Sequence, residues 1–212
     1  MTQGNLTSFI EDRFGCLNSA LALNGGWSQV PSGVYFDSPE FTISVWILPQ
    51  QVGYWARMID FGNGAPLENL FLSLSDGTNR KPQFSFFSGG SAIINAGSTQ
   101  NLTLDEWQFL AVTFNETTSS IYLNGTLTAQ VSGSYSLPTL NRTNCYIGKS
   151  NWYWDGYSSS YLDDLRFYNK SLTHIEIISL MVMNQTQTSK EINFFMKYLF
   201  LFQMKLFSKA AF

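Results

Sequence analysis

Residues 41–47 read Phe-Thr-Ile-Ser-Val-Trp-Ile. Phe41, Ile43, Val45 and Ile47 alternate with Thr42, Ser44 and Trp46, a repeat of two that puts one apolar set on a single face of an extended strand. A strand of this kind needs a second layer to cover that face. The pattern recurs along the chain. Leu70, Leu72 and Leu74 alternate with Phe71 and Ser73, and Ser75-Asp76-Gly77 then turns the chain. Phe84 and Phe86 alternate with Gln83 and Ser85 before Gly89-Gly90. Trp107–Phe114 is an apolar run of strand length. Ile121–Leu123 leads into Asn124-Gly125, a two-residue hairpin turn whose residues tolerate positive φ. Leu127 and Ala129 begin the return strand, Cys145–Ile147 is a short strand stopped by Gly148, and Tyr161–Tyr168 is the last. Pro49 is expected to close the 41–47 strand. Strands at short intervals with no helix between them predict an antiparallel sandwich or barrel.

One helix is expected near the end. Thr173 is a suitable N-cap, and Glu176 three residues on completes a capping box. Ile177, Leu180 and Met181 form its apolar side, with His174 an exposed residue of its first turn. After Met183 the sequence turns polar, then rich in Phe, Leu and Lys. Residues 13–183 are therefore read as the folded domain, and 184–212 as a linker and tail outside it. Lys197 and Lys205 interrupt the tail, so it lacks the ~18 uncharged residues of a membrane span.

Only 13 % of the 212 residues are charged, about half the usual share, while 44 % are hydrophobic and 16 % aromatic. Ser, Thr, Asn and Gly must then cover the surface, as in secreted β proteins. The formal net charge of −3, with no basic stripe, argues against a nucleic-acid partner. Asn-x-Ser/Thr occurs at Asn5, Asn101, Asn115, Asn124, Asn141, Asn169 and Asn184, which points to a glycoprotein outside the cell or at its surface. Residues 1–10 carry no signal-peptide pattern, so the chain is expected to be part of a longer secreted or membrane-anchored protein. Cys16 and Cys145 fit no metal spacing; they are either two buried thiols or one disulfide.

Five segments, in order, resemble a LamG-like jelly-roll domain of the concanavalin A-like superfamily. They are Ala20–Gly25, Phe41–Pro49, Trp107–Phe114 with Ile121–Gly125, Ile147-Gly148, and Leu162–Asn169 with Leu172–Ile177. The likeness covers roughly residues 14–183. It implies an all-β fold, an antiparallel two-sheet jelly-roll sandwich with one short C-terminal helix. Ser158–Ser160 look like an insertion before the closing strand. The family's opening turn often carries Asp where this chain has Asn24.

Asp163 shares a face with Tyr161, Leu165 and Phe167 by alternation. A carboxylate there is costly unless it is paired, hydrogen-bonded or metal-bound. The resemblance implies that it can join Asn24 and the backbone near Gly25 in holding Ca²⁺, a hard ion that takes oxygen ligands. The alternative is a carboxylate that accepts backbone N–H bonds and ties the last strand to the first. Asp164 and Arg166 fall opposite and are expected to form a solvated pair.

Trp152-Tyr153-Trp154-Asp155-Gly156-Tyr157 lies between two late strands, hence on a loop. Flat aromatic faces beside a carboxylate suit sugar rings, with Trp55, Tyr54 and Trp27 as further contributors. These aromatics equally suit a lid over the end of the sandwich. Catalysis finds little support. Glycoside hydrolysis needs two carboxyl groups on one face, and Asp163-Asp164 point to opposite faces. The expected function is an extracellular binding module, lectin-like towards glycans with or without calcium. The alternative is an adhesion or spacer module that contacts extracellular proteins.

Overall fold

The computed structural model describes residues 2–3 and 7–182. In chain order the strands are β1 (Thr2–Gln3), β2 (Ser8–Ile10), β3 (Ala20–Ala22), β4 (Ser28–Val30), β5 (Gly33–Val34), β6 (Glu40–Val52), β7 (Arg57–Gly62) and β8 (Leu70–Ser73). They continue with β9 (Gln83–Ser88), β10 (Ser91–Gly97), β11 (Gln108–Asn115), β12 (Thr118–Leu123), β13 (Thr126–Ser132), β14 (Asn141–Arg142), β15 (Asn144–Ile147) and β16 (Ser158–Tyr168). One helix follows, α1 (His174–Met181). The chain divides into two compact units, Met1–Ile177 and Ile178–Phe212. The second is described only to residue 182, so the expected linker and tail lie outside the described residues.

The first unit is a sandwich. One sheet has the order β1-β4-β15-β7-β8-β9-β10, the other β13-β12-β11-β6-β16-β3-β2, and β14 and β5 form a small third pair. Their strand pairs are antiparallel. The alternation in residues 41–47 is obeyed: Phe41, Ile43, Val45 and Ile47 are buried in the core. They meet Leu110, Val112, Phe114, Ile121 and Leu123 from the same sheet, and Ile59, Phe61, Leu70, Leu72, Phe84 and Phe86 from the facing one. The β12–β13 turn is Asn124-Gly125, both at positive φ. The capping box forms as expected. Thr173 N donates to Glu176 Oε2 at 2.8 Å, and Glu176 N donates to Thr173 Oγ1 at 3.3 Å. His174 is exposed and stacks on Tyr122, its ring centroid 5.6 Å away.

Four expectations are corrected. Pro49 does not end its strand; β6 runs on to Val52. Pairing with β11 stops at Ile47, so a residue without an N–H is tolerated beyond that point. Ser158–Ser160 are not an inserted loop but the start of β16, with a register irregularity between Ser159 and Ser160. The alternation through Asp163 is broken by a bulge. Asp163 pairs with Trp46 and Arg166 with Ser44, so Asp164 and Leu165 oppose Val45 alone, with Asp164 at φ 50°. Asp163 thereby faces outward beside Trp46, away from the core face of Leu162. Finally, Cys16 and Cys145 form no disulfide. Cys145 points into the core from β15, and burial pushes its thiol up to about 12. The segment carrying Cys16 is clasped to the outer face of the opposite sheet. Stacked sheets lie ~10 Å apart, whereas a disulfide needs Cα atoms within ~7 Å.

Candidate functional site

The Asp163 site is closed by a residue that alternation could not indicate. The Arg13 guanidinium pairs with Asp163 and, at 2.7 Å, with Asp164. It also lies 4.3 Å from the Phe14 ring centroid and 4.9 Å from that of Trp46. Asp164 accepts a second ion pair from Arg166 at 3.0 Å, as expected, but its side chain is only 11 % exposed. Burial raises the Asp163 carboxyl above its usual range, with Arg13 acting in the opposite sense. Asn24 and Gly25 sit elsewhere. Gly25 N donates to Ser158 O, and Leu23 N to Ser160 O, while β3 pairs Tyr161 with Ala22. Asp163 is four residues or more along β16 from that turn, roughly 13 Å at strand rise. The three residues expected to share a calcium ion are therefore not brought together, and the carboxylate already has a cationic partner. They do not fit the ion.

The aromatic loop is better organised. A bulge between Arg57 and Ile59 breaks the alternation of β7. Ile59 and Phe61 face the core, while Arg57 and Asp60 face out from the same sheet, both buried. The Arg57 guanidinium lies 4.0 Å from the Phe71 ring centroid, with Trp152 at 5.4 Å and Trp55 at 5.7 Å. It reaches both loops at this end of the sandwich. Nη1 donates to Trp55 O at 2.7 Å, and Nη2 pairs with Asp155 Oδ2 at 2.9 Å. Asp60 accepts from Asn151 N at 2.9 Å, Asn151 Nδ2 at 2.8 Å and Asn69 Nδ2 at 2.9 Å, with Arg57 Nε at 3.7 Å. Burial pushes the Asp60 and Asp155 carboxyls up, against the pull of Arg57, and lowers Arg57 itself.

The six aromatic-site candidates therefore split. Asp155 is turned inward, its side chain 3 % exposed and bonded to Arg57 and to Ser150 Oγ at 2.7 Å. Trp152 is a lid, packed edge-on against Phe71 and Phe87 with centroids at 5.6 and 5.4 Å. Trp55 is half-buried, held at φ 49°. Tyr153, Trp154 and Tyr157 are exposed, the first two ring to ring at 4.6 Å. Tyr54 joins them, because Gly156 N donates to Tyr54 O and Gly53 N to Tyr157 O. That approach needs glycine: a Cβ on Gly53 would lie 2.5 Å from Tyr157 O, and one on Gly156 2.9 Å from Tyr54 N. Trp27 is not part of this group; it packs edge-on against Tyr146, under Lys149. The residues that sequence reasoning missed are Arg57, Asp60, Asn151 and Ser150. The sole signal for the first two is a pair of charges inside an otherwise apolar strand.

Among the sequons, Asn101, Asn124, Asn141 and Asn169 are exposed, and Asn115 is half-buried with Oδ1 accepting from Thr117 N. Asn5 and Asn184 lie outside the described residues. Among the described residues no helix is long and apolar enough to cross a membrane.

Comparison with known proteins identifies the family and the fold. The family model described as the concanavalin A-like lectin/glucanases superfamily matches residues 23–178. Among solved structures, domain 4 of AbnA, an extracellular arabinanase of glycoside hydrolase family 43 from Geobacillus stearothermophilus, solved with arabinotriose, aligns at a TM-score of 0.69 and 20 % identity. That alignment covers 84 % of this chain and 82 % of that one. The binding domain of botulinum neurotoxin serotype G aligns at 0.57 and 17 %, over 85 % of this chain and 46 % of that one. A heptameric pentraxin from Limulus polyphemus aligns at 0.53 and 11 %, over 82 % and 80 %. At these identities the likeness is one of fold. Comparison with curated protein sequences gave no match.

Proposed function

The chain belongs to the concanavalin A-like lectin/glucanases superfamily, and from that premise we propose that it is a non-catalytic carbohydrate-binding module acting outside the cell. One observation carries this reading. Tyr54, Tyr153, Trp154 and Tyr157 are 57, 91, 59 and 45 % exposed on two loops joined by backbone bonds and by Arg57. Large exposed aromatics clustered on a held scaffold mark an interaction surface rather than core. Flat rings of this kind accept the C–H faces of sugars. A related fold solved with a bound arabinose oligomer supports the same reading.

The chemistry of glycan cleavage has no counterpart in this reading. Hydrolysis uses two carboxyl groups free to act on the substrate. Among the described residues, Asp60 and Asp155 are committed to Arg57, and Asp163 and Asp164 to Arg13. The exposed sequons at Asn101, Asn124, Asn141 and Asn169 support an extracellular setting. No cation belongs to this reading, and EDTA is expected to leave binding unchanged.

The test is a glycan array probed with the whole chain, followed by Trp154→Ala and Tyr153→Ala. Binding to defined oligosaccharides that drops at least tenfold in Trp154→Ala, with unchanged thermal unfolding, supports the reading. If no glycan binds, and an extracellular protein binds the same aromatics without competition from sugars, the adhesion alternative replaces it.

A further inference from the structure

Beside the aromatic loop lies a separate polar cleft of about 290 Å³, lined by Tyr54, Ser75, Thr78, Asn79, Arg80 and Asn101 among others. Its size falls at the small end of ligand sites, ~300–1,000 Å³. We propose that this cleft seats a sugar residue bearing an anionic group, a carboxylate or a sulfate ester, with Arg80 as its charge partner and Tyr54 as its stacking wall. The inference rests on the carbohydrate-binding reading above and adds the class of ligand and a second subsite.

The cleft is a built feature. Its floor turn is held by Asp76, whose Oδ1 accepts from Thr78 N at 3.0 Å and Asn79 N at 2.6 Å, while Asn79 Nδ2 donates to Oδ2 at 3.3 Å. Asp76 thus spends its oxygens inside the turn and is not among the lining residues. Gly77 makes the other wall fit. It sits at φ 90°, and a Cβ there would lie 2.4 Å from Trp55 Nε1, so the turn packs directly on the Trp55 ring. The Arg57 bond to Trp55 O holds the backbone that carries that ring.

Arg80 is the distinctive group. It is exposed, and its Nε donates to Leu102 O at 3.1 Å, which orients the guanidinium. Among the described residues it forms no ion pair, unlike Arg13, Arg57 and Arg166. A guanidinium oriented at one nitrogen and carrying free N–H groups suits the two oxygens of a carboxylate or sulfate. Ser75, Thr78, Asn79 and Asn101 supply hydroxyls and amides for the sugar's own hydroxyls. Tyr54 belongs to both sites: it lines the cleft and its carbonyl binds the aromatic loop at Gly156. Tyr54 thereby links the cleft to the aromatic loop.

The experiment uses the whole chain, made in a host that does not N-glycosylate, so that Asn101 at the lip stays bare. Calorimetric titration is run with uronic-acid oligosaccharides, sulfated oligosaccharides and their neutral counterparts. The variants are Arg80→Gln, Arg80→Lys and Trp154→Ala. Arg80 is exposed, and unchanged unfolding confirms that each variant is folded. The expected result is preference for one acidic class, weakened tenfold or more in Arg80→Gln, partly kept in Arg80→Lys, and falling with added salt. The uronic and sulfated arms identify which anion is read. Equal binding of neutral and acidic sugars, or loss in Trp154→Ala with none in Arg80→Gln, overturns the cleft and leaves the carbohydrate reading standing. Binding to no sugar of any class overturns both.

Discussion

The two sheets each carry an arginine held between two aspartates on the outer face, and the pair differ in what they hold. Arg57 bridges Asp60 and Asp155, and Arg13 bridges Asp163 and Asp164. Each guanidinium lies against aromatic rings, Phe71, Trp55 and Trp152 in one case, Phe14 and Trp46 in the other. Arg57 joins two loops at the end of the sandwich where the exposed aromatics stand. Arg13 joins the N-terminal segment to the closing strand. The first cluster is also drier. Its side chains are 0–4 % exposed and Asp60 takes three amide donors, whereas the second is 6–11 % exposed. One arrangement of charges thus serves a binding surface in one place and chain closure in another.

The largest expected effect separates the two. Arg57→Ala leaves two buried carboxylates without a cation and should cost about 3–5 kcal/mol in denaturant unfolding. It should also abolish sugar binding at temperatures where the variant is still folded. Arg13→Ala should cost less, about 1.5–3 kcal/mol, because its carboxylates are nearer water and Arg166 remains. Sugar affinity in Arg13→Ala should match the parent; a loss there would erase the distinction between the clusters. Ser150→Ala removes the hydrogen bond to Asp155 and the one accepted from Trp152 N, and should cost about 1–2 kcal/mol. Increased amide exchange confined to residues 150–157 would locate that loss in the loop.

The smallest effect is one of pH. Glu176 is held down to about 2 by Lys170 and by the Thr173 N–H and hydroxyl. Its folded pKa is below its ordinary 4.5, so its stabilisation is complete above that pH and lost as pH falls through about 2. The melting-temperature difference between the parent and Glu176→Gln should therefore be present at pH 6 and vanish near pH 2. Asp60, Asp155 and Asp163 have the opposite sign. Their carboxyls are raised by burial, so the fold binds those protons more tightly than the unfolded chain does. Their contribution grows as pH falls through the raised values. Neither arginine cluster should be the origin of acid unfolding.

Much of the architecture was legible residue by residue. Alternation in Phe41–Ile47, in Leu70–Leu74 and in Phe84–Phe86 identified strands and the inward side of each. Asn124-Gly125 located a hairpin, and Thr173 with Glu176 located the helix start. These signals are local: a face, a turn or a cap is set by residues within a few positions of one another. What failed was alternation where a bulge adds a residue. At Asp163 the extra residue changes which of the following side chains face out, and nothing in the residue types announces it. The cluster partners were equally hidden, because Arg13 and Asp163 stand 150 positions apart.

From sequence alone, then, came an antiparallel β sandwich of this superfamily, and an aromatic loop between its last two strands. Tertiary structure alone decided that Asp155 and Trp152 turn inward while Tyr153 and Trp154 turn out. It likewise decided that Asp163 meets an arginine rather than the Asn24 turn, and that Tyr54 and Arg80 share a cleft. The reason is physical. Hydrophobic periodicity is written along the chain, but a buried charge is stable only where folding delivers its partner, and that partner comes from a distant strand.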